Sequence, residues 1–185
     1  MKNKKAYIPG WFDTVNNRVD YYGLDIWKEK IDPESKIDAE YVIGHSLGAN
    51  FALLNWDINK NAKLILTNPA IGKKSITQWF LRWIKFIFSE GPDMNKKRAR
   101  SFLNFFYNCK LCYKLLKIDL EKIIKKIPKE NIVVIRGKND NFFCNSEVCN
   151  FLREEGIKII EIDEVGHHWD NKMSEEINKL IEKQA

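Results

Sequence analysis

Ile43-Gly44-His45-Ser46-Leu47-Gly48-Ala49-Asn50 decides how the rest of this chain is read. A serine stands between two glycines, each two residues away. Glu40-Tyr41-Val42-Ile43 before it is a buried-type strand, and Leu47 to Trp56 after it patterns as a helix. A strand that turns at once into a helix strains the serine backbone and lifts its hydroxyl above the sheet. Side chains two positions away would collide with so sharp a turn, which favours glycine at both. The helix starting at Leu47 aims backbone N–H groups at the same point, so an oxyanion formed there would be bound by the Leu47 N–H. A glycine-rich turn whose serine merely caps a helix would spell the same letters, so the motif needs partners elsewhere in the chain.

A serine hydroxyl is a weak nucleophile unless a base takes its proton, and that base needs an orienting acid. The chain has three histidines, His45, His167 and His168. His45 lies inside the turn and is expected to point away from the serine by strand alternation. The other two stand in Glu164-Val165-Gly166-His167-His168-Trp169, just beyond the last strand, Lys158 to Ile162. An acid at the end of an intermediate strand is supplied by Gly137-Lys138-Asn139-Asp140, which follows the apolar run Ile132-Val133-Val134-Ile135. The chain order Ser46, Asp140, His167 is that of a hydrolase triad built on an α/β sheet. His168 opens the run leading into the terminal helix and is expected to pack or hydrogen-bond locally.

Strands alternate with helices through the remainder. Lys5 to Ile8 and Lys63 to Thr67 read as strands, and Val19 to Tyr22 as a short one. Asp25 to Ile31 reads as the start of a helix, Ser75 to about Lys126 as two or three helices broken at Gly91-Pro92, and Asn59-Lys60-Asn61 as a turn. Ser146 to Glu155 is a helix ended by Gly156, and Lys172 to Lys183 an amphipathic terminal helix. Continuous apolar strands separated by helices predict a parallel sheet covered on both faces, with a site at the carboxyl ends of the strands. Those ends carry Gly10-Trp11, Ser46, Asn68-Pro69, Asp140 and His167. The length of 185 residues predicts a single domain, residues 1–185, and 44% hydrophobic residues are enough to build its core.

In these positions the chain resembles the α/β-hydrolase superfamily. The resemblance covers the first strand with Gly10-Trp11, the turn at Ser46, the strand end at Asn68-Pro69, the G-x-x-D at 137–140 and Gly166-His167. It implies a compact α/β-hydrolase fold, a mostly parallel sheet of about five or six strands flanked by helices and lacking the usual first two strands. It implies Ser46 as nucleophile, His167 as base, directly after a small residue, and Asp140 as its partner. The backbone N–H of Trp11 becomes the second oxyanion donor beside Leu47, because Pro9-Gly10-Trp11 fills the slot where such enzymes carry His-Gly-X; proline replaces the histidine here. Residues 71–127 occupy the place of a helical lid or cap insertion.

Within that insertion Ser75, Gln78, Arg82, Lys85 and Ser89 form one polar stripe, and every other residue from Trp79 to Phe88 is apolar. Trp79, Trp83 and Phe86 are expected to contact substrate. The favoured use of this face is a lid; a dimer interface and a membrane surface contact aided by Lys96, Lys97, Arg98 and Arg100 are the alternatives. The function that follows is a serine hydrolase cleaving carboxylic esters or thioesters of apolar acyl groups, with a small-molecule substrate and neither a metal nor an organic cofactor. A binding module that kept the fold without turnover, and an acyltransferase using the same three residues, are the competing readings.

Charge and cysteines add less. The net charge is +6, and residues 76–126 hold twelve Lys/Arg against four Asp/Glu. This is read as solvated helix faces rather than a nucleic-acid site. Cys109-x-x-Cys112 has metal or redox spacing, but it falls in a helical stretch, and Cys144 and Cys149 make a poor second half-site, so all four are expected as reduced thiols. MKNKKAYIPG is basic but too short in apolar residues for a secretory leader, and Trp79 to Phe88, interrupted by Arg82 and Lys85, falls short of the roughly 20 residues of a bilayer span. A cytoplasmic protein is expected.

Overall fold

In a computed structural model the described residues are 3–11, 21–33, 35–56, 62–72, 74–90 and 104–183. Six strands form one sheet: β1 (Asn3–Ile8), β2 (Tyr22–Gly23), β3 (Ala39–His45), β4 (Lys63–Thr67), β5 (Ile132–Gly137) and β6 (Lys158–Ile162). Their order is β2-β1-β3-β4-β5-β6, and every pairing is parallel. The helices are α1 (Leu47–Asn55), α2 (Ile76–Glu90), α3 (Phe105–Lys117), α4 (Leu120–Ile124), α5 (Ser146–Glu154) and α6 (Asn171–Glu182), with a 3-10 turn at Lys129–Asn131. The expected compact, parallel α/β sheet is the observed one.

Both faces of the central strands are buried, which explains their unbroken apolar runs. Alternate residues serve two cores. Ala6, Ile8, Val42, Leu64, Leu66, Ile132 and Val134 face α1, α5 and the α2–α4 segment. Tyr7, Tyr41, Ile43, Ile65, Ile135 and Ile162 face α6, which closes the opposite side with Met173, Ile177, Leu180 and Ile181. Those four helical positions recur at steps of four, three and one, the stripe that an amphipathic helix turns to a sheet. Each such buried side chain contributes about 1.5–3 kcal/mol relative to exposure. Asp170 and Asn145 cap α6 and α5 by accepting the backbone N–H of Lys172 and Val148.

Strand order places the site. After β1 the chain moves outward to β2; after β3 it moves the other way, to β4. The carboxyl ends of β1 and β3 therefore flank a switch point, where connections diverge and leave a crevice. Ile8 pairs with Gly44 across this point, so Trp11 and Ser46 leave the sheet side by side. Among the described residues three helices, α2 to α4, intervene between β4 and β5, as the long segment between those strands predicts.

Two expectations are corrected. Asp25 to Ile31 is not a helix: the N–H groups of Lys28 and Glu29 bond to the Asp25 carbonyl, the Asp25 carboxylate caps Lys28, and the left-handed φ of 53° at Lys30 ends the turn after one revolution. Polar turn chemistry overrides the helical pattern there, three residues before Pro33. The short early strand lies at Tyr22–Gly23; Val19 and Asp20 fall outside the described residues, as do the turn at Asn59–Asn61, the break at Gly91-Pro92 and the basic Lys96, Lys97, Arg98 and Arg100. No helix of the described residues is long and apolar enough to cross a membrane.

Candidate active site

The turn after β3 has the strain its sequence predicts. Ser46 adopts φ 52° and ψ −121°, a left-handed conformation that costs a non-glycine residue of order 1–3 kcal/mol and persists only when the surroundings enforce it. The surroundings are close-packed backbone. A Cβ on Gly44 would meet the Ala49 Cα at 2.5 Å, and one on Gly48 would run into the carbonyls of Ile8 and Pro9 at the end of β1. Both glycines are thus required by contact. The Ser46 N–H donates to the Thr67 carbonyl, and its own carbonyl accepts from Ala49, so the corner is tied to β4 as well as to α1.

His167 lies beside this serine, 121 residues away in sequence. Its Nε2 is 2.9 Å from Ser46 Oγ, and its Nδ1 is 2.7 Å from Asp140 Oδ2. Asp140 is fully buried, and its carboxylate accepts three backbone N–H bonds, from Phe142 and Phe143 on Oδ1 and from Cys144 on Oδ2. Burial pushes its pKa up, but the neighbouring His167 and the N–H donors outweigh that and bring it down to about 2. Asp140 is therefore a carboxylate at neutral pH and can only accept. The proton between it and His167 stands on Nδ1, which leaves Nε2 of a neutral imidazole as an acceptor toward the Ser46 hydroxyl. The structure brings together the three side chains that the sequence singled out.

The loop carrying His167 is pinned from two sides by residues that sequence reasoning gave no role. Asn68, buried and left-handed at φ 44°, donates from Nδ2 to the carbonyls of Gly166 and His167, both at 2.9 Å, and accepts the Gly137 N–H on Oδ1 at 2.9 Å. One amide thus ties the ends of β4 and β5 to the loop after β6. Glu90, the last residue of α2, accepts the His167 N–H at 3.0 Å. Its pKa is raised by burial, against the opposing effect of that hydrogen bond and of the nearby imidazole. The only sequence signal for Asn68 was its place at a strand end; Glu90 had none, because its partner is 77 residues away.

His168 turns from the serine and lies with Nε2 3.2 Å from the Glu90 carbonyl. His45, the last residue of β3, keeps the alternation of the strand and packs against Trp169 on the face that carries Tyr41 and Ile43. Its Nδ1 lies 3.0 Å from Thr67 Oγ1, and its ring sits 5.5 Å from that of His167.

A cavity of about 390 Å³ opens over Ser46 and His167, walled almost wholly by apolar groups. Trp79, Trp83 and Phe86 of α2 all line it, so the three aromatic residues expected at the substrate share one cavity with the serine. Phe86 stands edge-on to His167 at 5.2 Å, and the buried Phe143 lies 4.4 Å from the same ring. Trp83 stacks on Trp11 at 5.4 Å and 18°. Trp11 and Leu47, the two expected oxyanion donors, also line the cavity, as Ser46 does. Beyond them the far wall includes Cys109 and Cys112 of α3, two free thiols whose spacing reads as a motif but whose place is that of small apolar lining.

No protein-family model matches the sequence, and a search of curated proteins finds no match. Solved structures do match. An α/β-hydrolase enzyme, MGS-MChE2, from the metagenome of sediments of the Mar Chica lagoon in Morocco superposes with a TM-score of 0.61 at 17% identity, over 100% of this chain and 90% of that one. The peroxisomal α/β-hydrolase Lpx1 of Saccharomyces cerevisiae has a TM-score of 0.61 at 12% identity, over 100% of this chain and 78% of that one. An N-formylmaleamic acid deformylase of Pseudomonas putida S16 has a TM-score of 0.58 at 13% identity, over 90% of this chain and 86% of that one. At such low identity the likeness establishes architecture, and it does so plainly: this chain has the α/β-hydrolase fold. What its site does rests on the residues described above.

Proposed function

We propose that this protein is a serine hydrolase that cleaves carboxylic esters or thioesters carrying apolar acyl groups. The observation that carries the reading is the line Ser46 Oγ, His167 Nε2, His167 Nδ1, Asp140 Oδ2, with steps of 2.9 and 2.7 Å, set on a strained turn beneath an apolar cavity. Ser46 attacks the substrate carbonyl as His167 takes its proton at Nε2. Asp140 holds the imidazole in the required tautomer and stabilises the imidazolium. The N–H groups of Leu47 and Trp11 receive the oxyanion, and His167 then protonates the leaving alcohol or thiol. Water, deprotonated in turn by His167, attacks the acyl-enzyme and releases the acid.

The cavity supports the substrate class. Its walls offer few polar groups apart from the reacting residues, so an acyl chain gains free energy by leaving water there, at about 0.8 kcal/mol per buried CH₂. A charged or sugar-like acyl group would lose its hydration without compensation. The role of α2 as a lid is part of the same reading, supported by Trp79, Trp83 and Phe86 on the cavity wall and by the Glu90 bond to the His167 loop.

The test is Ser46→Ala, assayed with p-nitrophenyl esters of increasing chain length and with a fluorophosphonate probe. The wild type should label at Ser46 and hydrolyse medium-chain esters. The variant should not label and should lose about 10⁴-fold or more in rate. A wild type that neither labels nor hydrolyses any ester or thioester would leave a binding module, while labelling with turnover only when an alcohol or amine acceptor is added would make the protein an acyltransferase. A variant keeping more than about a tenth of the rate, far above the residue expected from binding alone, would remove Ser46 from the mechanism.

A further inference from the structure

Among the described residues, every exposed large hydrophobic side chain except Tyr22 lies on α2 or α3. The extremes are Phe88 at 84% exposure and Phe106 at 87%, the latter with the Phe105 ring edge-on at 5.8 Å. Helical spacing orders these residues. Leu81, Lys85 and Phe88 stand at i, i+4 and i+7 on α2, all exposed, and Phe106, Lys110, Tyr113 and Lys117 stand at i, i+4, i+7 and i+11 on α3, again all exposed. The inward stripes, Trp79 and Phe86 on one helix and Leu111, Cys112 and Leu115 on the other, face the core. Each helix therefore turns outward a single file in which apolar groups and lysines alternate.

The charges on this face have one sign. α2 and α3 carry Arg82, Lys85, Lys110, Lys114 and Lys117 against a single acid, Glu90, whose carboxylate is turned inward onto the His167 N–H. Arg82 is engaged with the Phe142 carbonyl and Glu147. Lys117 stands over the Tyr113 ring at 4.7 Å, and among the described residues no carboxylate pairs with Lys85, Lys110, Lys114 or Lys117.

We infer that the outer face of α2 and α3 docks on an anionic lipid surface. Aromatic rings and lysines in alternation suit the headgroup boundary, where the rings sink toward the acyl chains while the ammonium groups stay at the phosphates. A second copy of this chain fits less well. A two-fold contact would set the lysine file of one molecule against that of the other, and lysine is depleted in protein interfaces. A nucleic-acid duplex would use the lysines and leave Phe88 and Phe106 in water, its bases being stacked inside the helix. Docking in this way has a consequence for the cavity, one that rests on the proposed hydrolase reading. Phe80, Phe105 and Tyr113 are both exposed on this face and part of the cavity wall, so the mouth above Ser46 opens where a membrane-borne acyl chain would be.

The experiment is vesicle flotation of the full chain with phosphatidylcholine vesicles, with and without phosphatidylglycerol, at low and high salt. Wild type and Ser46→Ala should both float with the anionic vesicles, at least tenfold more strongly than with neutral ones, and salt should weaken the binding. The double variant Phe88→Ser/Phe106→Ser and the triple variant Lys85→Glu/Lys110→Glu/Lys114→Glu should each lose at least tenfold in binding, while hydrolysing a soluble short ester at the wild-type rate. Because the Ser46→Ala protein is included, docking is scored whether or not the chain proves to be an esterase. Absence of flotation, or flotation equal for wild type and both variants, overturns the inference. So does a wild-type dimer that the phenylalanine variant converts to monomer without any vesicle binding, or binding to heparin and DNA but not to vesicles.

Discussion

Asn68→Ala should be among the most damaging single substitutions in this chain, although Asn68 touches no substrate. Its side chain is fully buried and makes three hydrogen bonds to backbone groups of two other segments, with both Nδ2 protons and Oδ1 in use. Alanine removes all three and leaves the Gly137 N–H and the carbonyls of Gly166 and His167 without that partner. A typical hydrogen bond contributes about 1 kcal/mol net, and a buried group left unpaired costs about 1–3 kcal/mol. Asn68 also sits at φ 44°, a region that asparagine tolerates and alanine does not, which adds about 1 kcal/mol. Allowing for water reaching one of the carbonyls, the sum is about 3–6 kcal/mol, a large share of the 5–15 kcal/mol typical of a domain. The assay is urea unfolding followed by tryptophan fluorescence, comparing midpoints at constant slope. A loss below about 1 kcal/mol would mean that the three bonds are not holding the strand ends together. Asn68→Asp sharpens the test. It keeps the acceptor for the Gly137 N–H but sets a second oxygen against two carbonyls, so it should be no better than alanine near neutral pH.

Three further outcomes follow from the site. His167→Gln should abolish hydrolysis, whereas His168→Gln, which alters the contacts to the Glu90 carbonyl and the Phe86 ring but not the bond to Ser46, should keep it within about tenfold; the reverse pattern in ester assays would place the base one residue later. Asp140 has a folded pKa of about 2, below its ordinary value of 3.8, so its carboxylate stabilises the fold above about pH 4 and that contribution disappears as pH falls toward 2. The effect is on the order of 2 kcal/mol; the stability gap between wild type and Asp140→Asn should accordingly narrow by about that much between pH 5 and pH 2.5, and a gap independent of pH would contradict the ionised, stabilised carboxylate. Trp83→Ser/Phe86→Ser, which opens the α2 wall of the cavity, should change kcat/KM for a long-chain ester relative to a short one by at least tenfold; an unchanged ratio would remove α2 from substrate contact.

The division between what was legible in the sequence and what was not follows the range of the interactions involved. The turn at Ser46 shows within five residues: Gly44 is demanded by Gly48 and Ala49 of the same turn, while Gly48 is demanded by the carbonyls of Ile8 and Pro9, a contact that only the sheet creates. The strands β3, β4 and β5 show as unbroken apolar runs because a parallel sheet buries both of their faces, and α6 shows because only one of its stripes is buried. The candidates Ser46, Asp140 and His167 could be chosen by their places at strand ends, since a parallel sheet brings all its carboxyl ends to one edge. Local pattern misled at Asp25 to Ile31, where a side-chain cap and a left-handed Lys30 stopped a helix after one turn. Tertiary structure alone decided the groups that hold His167 in place. Asn68 and Glu90 act on backbone atoms 98, 99 and 77 residues away, and a bond to a main-chain carbonyl or N–H leaves no trace in the identity of the residue that supplies it. The same holds for Cys109 and Cys112, whose spacing suggests a metal or redox pair until the packing of α3 makes them part of the wall of an apolar cavity.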